Sequence, residues 1–291
     1  MTNTPPPGEL ANWKITVSYD GTDYSGWQVQ PGEPTIQGEL QSALGRVTGE
    51  SPLPQGSGRT DAGVHAMAQV ASFLLRAPIP PENLRHALNR TLPAAIRVLE
   101  AKIVPSDFHA RHSTVAKTYE YRVFLERAPA ASRQIVACPP FLARYVYSYP
   151  WPLDFEALQQ TARLFIGTHD FLSFAATDPD TAARARDKAS SLTASEEDTG
   201  GTPTAIRTIF GSSWQQEPLG ETSLFIYRVR GNGFLHHMVR NLVGTMLDVG
   251  RGYRCADEIP GMIAALARSA AGPTAPAQGL FLHSVEYRNE E

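Results

Sequence analysis

Trp13, Ile15, Val17 and Tyr19 alternate with Lys14, Thr16 and Ser18, the period-two pattern of a strand with one buried face. Ile36, Leu40, Ala43, Leu44 and Val47 recur at helical spacing instead, behind Thr35 as a candidate N-cap after Pro34. Val70 to Leu75 predicts a strand, Pro81 to Asn89 a helix opened by proline, and Ile96 to Ile103 another strand. The alternation resumes at Tyr119, Tyr121, Val123 and Leu125. Asp154 caps a predicted helix reaching Ile166, with Gly167 just past its end. Strands are expected at 206–214, 223–230 and 280–287. The strongest helical signal runs from Leu235 to Val249, where Leu235, Met238, Val239, Leu242, Val243, Met246 and Leu247 share one side.

Strands and helices do not alternate strictly. That order favours an α+β fold, a mainly antiparallel mixed sheet flanked by helices, over a doubly wound one. The elements fall into two sets, which predicts an N-terminal lobe over 13–108 and a C-terminal lobe over 109–291, with a cleft between them. Residues 1–12, with three consecutive prolines, read as a disordered lead-in. The polar stretch 176–205 reads as a flexible insertion.

The 291-residue composition, 42% hydrophobic and 19% charged, is that of a soluble globular chain. No apolar run is long enough to span a bilayer, and the N-terminus lacks the basic and apolar regions of a signal peptide. Cys138 and Cys255 are far apart, which excludes a disulfide framework and a cysteine zinc site; a cytoplasmic setting is expected. A net charge of −3 argues mildly against a nucleic-acid partner. The insertion, however, holds six acids against three bases and so accounts for all of it. Arg228, Arg230, Arg240, Arg251 and Arg254 then form a local basic stripe opposed by Asp248 alone, and four of them (all but Arg240) are candidate phosphate contacts.

The chemistry concentrates in QGSGRTDAGVHA, residues 55–66, where three glycines surround Arg59 and Asp61. A phosphate loop would need lysine where Val64 stands, and a dinucleotide loop would need glycine where Asp61 stands. An aspartic-protease pair would need a second copy of Asp61-Ala62-Gly63, which the chain lacks. A metal site from Asp61 and His65, with His236 and His237, stays open, as does a plain turn in which aspartate and glycine serve only the backbone.

GRTDAGVHA resembles the catalytic loop of the bacterial tRNA pseudouridine synthase A family. The similarity continues through YDGTDYSGWQVQ (19–30), TIQGELQSAL (35–44), FHARHSTVAKTYEYRV (108–123), GTHDFLSF (167–174), RTI (207–209), GNGFLHHMVRNLVG (231–244) and GLFL (279–282). These blocks follow the family's order over nearly the whole chain. His112 and Thr114 depart from its pattern, and the 176–205 insertion is longer than usual.

The resemblance implies an isomerase that converts uridine to pseudouridine in the anticodon stem-loop of tRNA, at positions 38, 39 and 40, as a homodimer without cofactor or metal. Asp61 becomes the catalytic carboxylate and Arg240 its basic partner; a cation there favours the charged carboxylate. Tyr119 matches the tyrosine that stacks on uracil, and Tyr121 reads as structural. Arg59 would fill the space left by the flipped nucleotide, or else form a loop salt bridge. Leu280 would wall the uracil pocket, or else be ordinary core. His65, His236 and His237 read as polar-network or phosphate contacts without a catalytic part.

Overall fold

A computed structural model describes residues 8–127, 135–176 and 204–288. The three prolines of the expected lead-in, and all but the ends of the expected insertion, lie outside the described residues. Ten strands form one sheet: β1 (Ala11–Tyr19), β2 (Gln55–Gly56), β3 (His65–Leu75), β4 (Ile96–Val104), β5 (Thr114–Leu125), β6 (Tyr147–Tyr149), β7 (Gly167–Asp170), β8 (Ile206–Leu219), β9 (Thr222–Gly231) and β10 (Leu280–Tyr287). The order is β4-β1-β3-β10-β5-β9-β8-β7, with β2 beside β3 and β6 beside β5. Only the β3·β10 and β5·β6 pairings are parallel, so the sheet is mostly antiparallel, as the order of elements predicts.

The strands drawn from residues before 105 and those drawn from residues after 113 meet where β10 inserts between β3 and β5. The seam is short: Phe281 faces His65 and Leu282 faces Ala66. It aligns the start of β3, directly after the GRTDAGV loop, with the start of β10 at Leu280. β3 begins at His65 rather than the expected Val70: Ala66 pairs with Tyr19 of β1 past a register shift, and His65 and Ala66 pair with β10 on the other side.

Six α-helices flank the sheet among the described residues: α1 (Ile36–Thr48), α2 (Pro81–Thr91), α3 (Pro140–Ala143), α4 (Phe155–Arg163), α5 (Met238–Gly250) and α6 (Ile259–Ala264). The Thr35 hydroxyl accepts from the Gly38 amide at the head of α1, and the Asp154 carboxylate accepts from Ala157 at the head of α4, as expected of N-caps. α4 ends three residues short of Ile166, in a tightened turn where Leu164, Phe165 and Ile166 each donate to the carbonyl three residues back. α5 starts at Met238 instead of Leu235, because His237 has the left-handed conformation, φ 59°, and breaks the helical run.

The core is continuous across the seam. Trp13, Ile15 and Val17 of β1 belong with Leu40 and Leu44 of α1 and Leu84 and Leu88 of α2, all fully buried. In the other half Trp214 of β8 packs on Tyr227 of β9 and reaches Met246 of α5, its indole nitrogen 3.2 Å from the sulfur. No described helix is long and apolar enough to cross a membrane.

Helix α5 also carries the segment that leads back into β10. Gly272 donates to the Thr245 hydroxyl, the Thr274 hydroxyl donates to Asn241 Oδ1, and the Ala275 amide donates to the Arg240 carbonyl. That closeness depends on Gly244, where an added Cβ would lie 1.7 Å from the Pro273 carbonyl oxygen. Gly261 in α6 has nothing within 4 Å of the same position. Gly244→Ala should therefore destabilise the protein by about 2 kcal/mol or more, since displacing backbone costs more than the roughly 1 kcal/mol of helix propensity gained. Gly261→Ala should be neutral or slightly stabilising. Denaturant midpoints of the two variants check the opposite signs.

Candidate active site

The loop between β2 and β3 is pinned from several sides before it reaches Asp61. Gly56 lies so close to Trp27 that a Cβ would stand 2.6 Å from the indole. The Ser57 hydroxyl donates to Gln69 Oε1, and Gln69 Nε2 donates to the Gly58 carbonyl. Lys117 of β5 donates to the Ser57 carbonyl at 2.5 Å. Thr60 is held by the Tyr19 hydroxyl through its side chain and by the Trp27 amide through its carbonyl. The Val64 amide then donates to the Asp61 carbonyl around Gly63, which takes φ 76°, and the chain turns into β3. The carboxylate thus sits at the tip of a rigid support, 22% exposed.

Three groups approach that carboxylate, all from the head of α5 or the residues just before it. Arg240 Nη1 donates to Asp61 Oδ2 at 3.1 Å, and Arg240 Nε donates to the Ala275 carbonyl at 2.7 Å, which fixes the guanidinium plane. His237 Nε2 is 3.3 Å from Oδ2 and His236 Nε2 is 3.4 Å from Oδ1. Tyr119 comes to the same place from β5: burial first, and the nearby Tyr19 and Asp61, push its hydroxyl above the ordinary tyrosine range, so it stays neutral. Its ring meets Phe234 edge-on at 5.0 Å.

These groups line one cavity of about 1000 Å³. Asp61, Arg240, Tyr119, Arg59 and Leu280, singled out in the sequence, all border it. Arg59 is exposed at the loop, whereas Leu280 is buried at the first position of β10. Tyr121 does not reach the cavity; it is fully buried and donates to the Pro276 carbonyl, a structural role as its strand position predicts.

The histidines depart from expectation in opposite ways. His65 lies away from Asp61, stacked on Phe281 and accepting from the Gly21 amide, with Asp20 beside it. An Asp61–His65 metal site is therefore excluded by geometry. His236 and His237 do converge on Asp61, their ligating atoms and the carboxylate oxygen within 4.8 Å of one another. The surroundings suit donors to a carboxylate better than an ion: Arg240 shares Oδ2 with His237, and among the described residues the buried His236 Nδ1 has no hydrogen-bond partner to support ligation. Burial first, then His236, Arg240 and Arg268, hold His237 below the ordinary histidine range against the pull of Asp61.

Lys117 is a cavity residue that the sequence reading passed over. Burial first, then Arg111 and Arg207, lower its ammonium to about 8. Its position two residues before Tyr119 on β5 puts both on one face, a signal the period-two rule could have supplied. The four arginines taken as phosphate contacts are otherwise engaged. Arg228 pairs with Glu120, Arg230 with Glu286, and Arg251 and Arg254 with Asp248; none of the four lines the cavity.

A family model described as tRNA pseudouridine synthase matches residues 15–113 and 161–288, which include the Asp61 loop, Arg240 and β10. The chain is 47% identical over 274 residues to the tRNA pseudouridine synthase A of Solibacter usitatus, covering 94% of this chain and 98% of that protein. It is 43% identical over 277 residues to the protein of that name from Moorella thermoacetica, with 94% and 98% covered. The Bacillus pumilus protein of that name is 42% identical over 278 residues, with 95% and 99% covered. With a family model matched in both halves and these relatives aligned over nearly their whole length, the chain belongs to the tRNA pseudouridine synthase family, whose members are isomerases.

Proposed function

We propose that this protein isomerises uridine to pseudouridine in the anticodon stem-loop of tRNA, at positions 38, 39 and 40, with Asp61 as the reacting carboxylate. One observation supports it above the rest: among the described residues Asp61 is the sole acid lining the cavity, which Arg59, Arg111, Lys117 and Arg240 also line. A cavity with four cationic side chains attracts a phosphate backbone. A single carboxylate clasped by Arg240 and two imidazoles is equipped for chemistry at one atom.

The reaction exchanges the N1–C1′ bond for a C5–C1′ bond. N1 gains a proton and C5 loses one, so nothing is consumed. The target nucleotide must leave its stack to reach a carboxylate recessed in the cavity. Tyr119 then offers its ring to the uracil, Leu280 an apolar wall, and Arg59 at the exposed loop fills the vacated space. Lys117 and Arg111 would hold phosphate, which positions the RNA without reading it. Attack of Asp61 at C1′, attack at C6 and deprotonation at C2′ are all compatible with this placement.

The division into lobes at 13–108 and 109–291 belongs to the same reading. The loop before β3 comes from one side, β5, α5 and β10 come from the other, and the cavity lies beside the seam. So does a cytoplasmic homodimer with one tRNA touching both subunits; exposed Phe141 and Trp151 are the kind of apolar surface an interface covers.

On unmodified tRNA, with chelator and no nucleotide, wild type should form pseudouridine in the anticodon arm. Asp61→Asn should bind tRNA within a few-fold of wild type and lose activity by about a thousandfold or more. Wild type that binds and modifies nothing would make this an RNA-binding module instead. Lys117 should add a pH dependence. Below about 8 its ammonium is charged and holds phosphate; above that it is neutral and the contact is lost. Wild-type affinity for tRNA should therefore fall from pH 7.5 to 9, and its salt slope should shrink by about one counterion. Lys117→Arg, charged throughout, should show neither change. Binding titrations at two pH values and several salt concentrations decide it.

A further inference from the structure

We propose that His236 and His237 are positioning residues for Asp61, two imidazole donors that together with Arg240 fix the orientation of its carboxylate. The inference rests on reading Asp61 as the reacting group. Arg240 engages Oδ2 alone. The rotation of a carboxylate about its last bond is soft, so a single donor leaves the other oxygen free to swing. His236 faces that other oxygen, Oδ1, and His237 adds a second contact at Oδ2.

The backbone shows that this arrangement is built at a cost. His237 sits at φ 59°, ψ 1°, and the one other described residue besides glycine with positive φ is Leu266. A residue with a side chain is strained in that region. Glycine would adopt it freely, and no hydrogen bond of the turn asks for an imidazole: the Met238 amide donates to Leu235 and the Asn241 amide to His237, both through carbonyls. What the left-handed residue achieves is orientation. Adjacent side chains point apart in a strand and about a quarter-turn apart in a helix. Here the two rings lie 3.9 Å apart, tilted by 32°, and both present Nε2 to one carboxylate.

The proton on His236 can be assigned from its surroundings. Its Nδ1 is buried with no hydrogen-bond partner among the described residues. Its Nε2 faces a carboxylate oxygen, which can only accept, so the proton belongs on Nε2, where it points at Asp61. His237, held neutral by burial, has the same choice and the same neighbour. Both contacts are longer than a tight hydrogen bond, as is common before substrate enters.

The test compares His237→Gly with His236→Leu and His236→Gln in single-turnover pseudouridine formation on tRNA. His237→Gly relieves the strained backbone while removing the ring. Its melting temperature should stay level or rise, its tRNA affinity should stay within about twofold, and its rate should fall by about 10–100-fold. Added imidazole should restore part of that rate. His236→Leu should lose a similar factor, and His236→Gln, whose amide can donate from nearly the same place as Nε2, should retain most of the activity. Wild-type rates in both His237→Gly and His236→Leu, beside an inactive Asp61→Asn, would overturn the proposal and leave the pair structural. If His237→Gly does not fold, the two His236 variants decide alone. A wild type that needs added zinc and is silenced by chelator would also overturn it, because the imidazoles would then hold an ion. An Asp61→Asn variant at wild-type rate would bring down the reading of Asp61 itself, whatever the histidines do.

Discussion

The Asp61–Arg240 ion pair joins two parts of the chain 179 residues apart, and the geometry of the cavity follows from it. One partner stands on a loop pinned through Ser57, Gly58 and Thr60; the other stands on the first turn of α5, with its Nε anchored at Ala275. At 22% and 15% exposure the pair lies between the surface case, which contributes about 0–1 kcal/mol, and the buried case, where losing one partner costs about 3–5 kcal/mol. Such a pair is weak evidence for stability. It is better understood as a register mark that tells the loop where the helix must be.

The same logic organises the strand seam. β10 reaches its place between β3 and β5 only after the 272–276 segment has been tied to α5 through Thr245, Asn241 and Arg240. Leu280 therefore arrives at the cavity through the helix that carries Arg240. Close packing at Gly244 sets the depth of that approach. A long-range parallel pairing as short as Phe281 to His65 and Leu282 to Ala66 could not hold the two halves in register by hydrogen bonds alone; the continuous apolar core beneath it contributes the rest.

Local rules made much of this legible. Period-two runs located β1 and β5, and capping chemistry at Thr35 and Asp154 located the starts of α1 and α4, because these signals act within a few residues. The GRTDAGVHA string marked the loop, and the structure brings Arg240, Tyr119, Arg59 and Leu280 to the same cavity. What escaped depends on tertiary context. The early start of β3 rests on pairing with β1 and β10 on its two sides, and the late start of α5 needs a left-handed His237 that no apolar spacing foretells. The basic stripe misled because charge counted along a sequence ignores partners: Glu120, Glu286 and Asp248 engage four of its arginines, and the cavity draws Lys117 and Arg111 from β5 and the turn before it.

The role of Arg240 in holding Asp61 in working position is tested by the single-turnover rate of Arg240→Gln at saturating enzyme, where RNA affinity no longer enters. The rate should fall by about a hundredfold or more with the protein folded and tRNA bound within a few-fold of wild type. A folded Arg240→Gln that turns over at the wild-type rate would contradict that role.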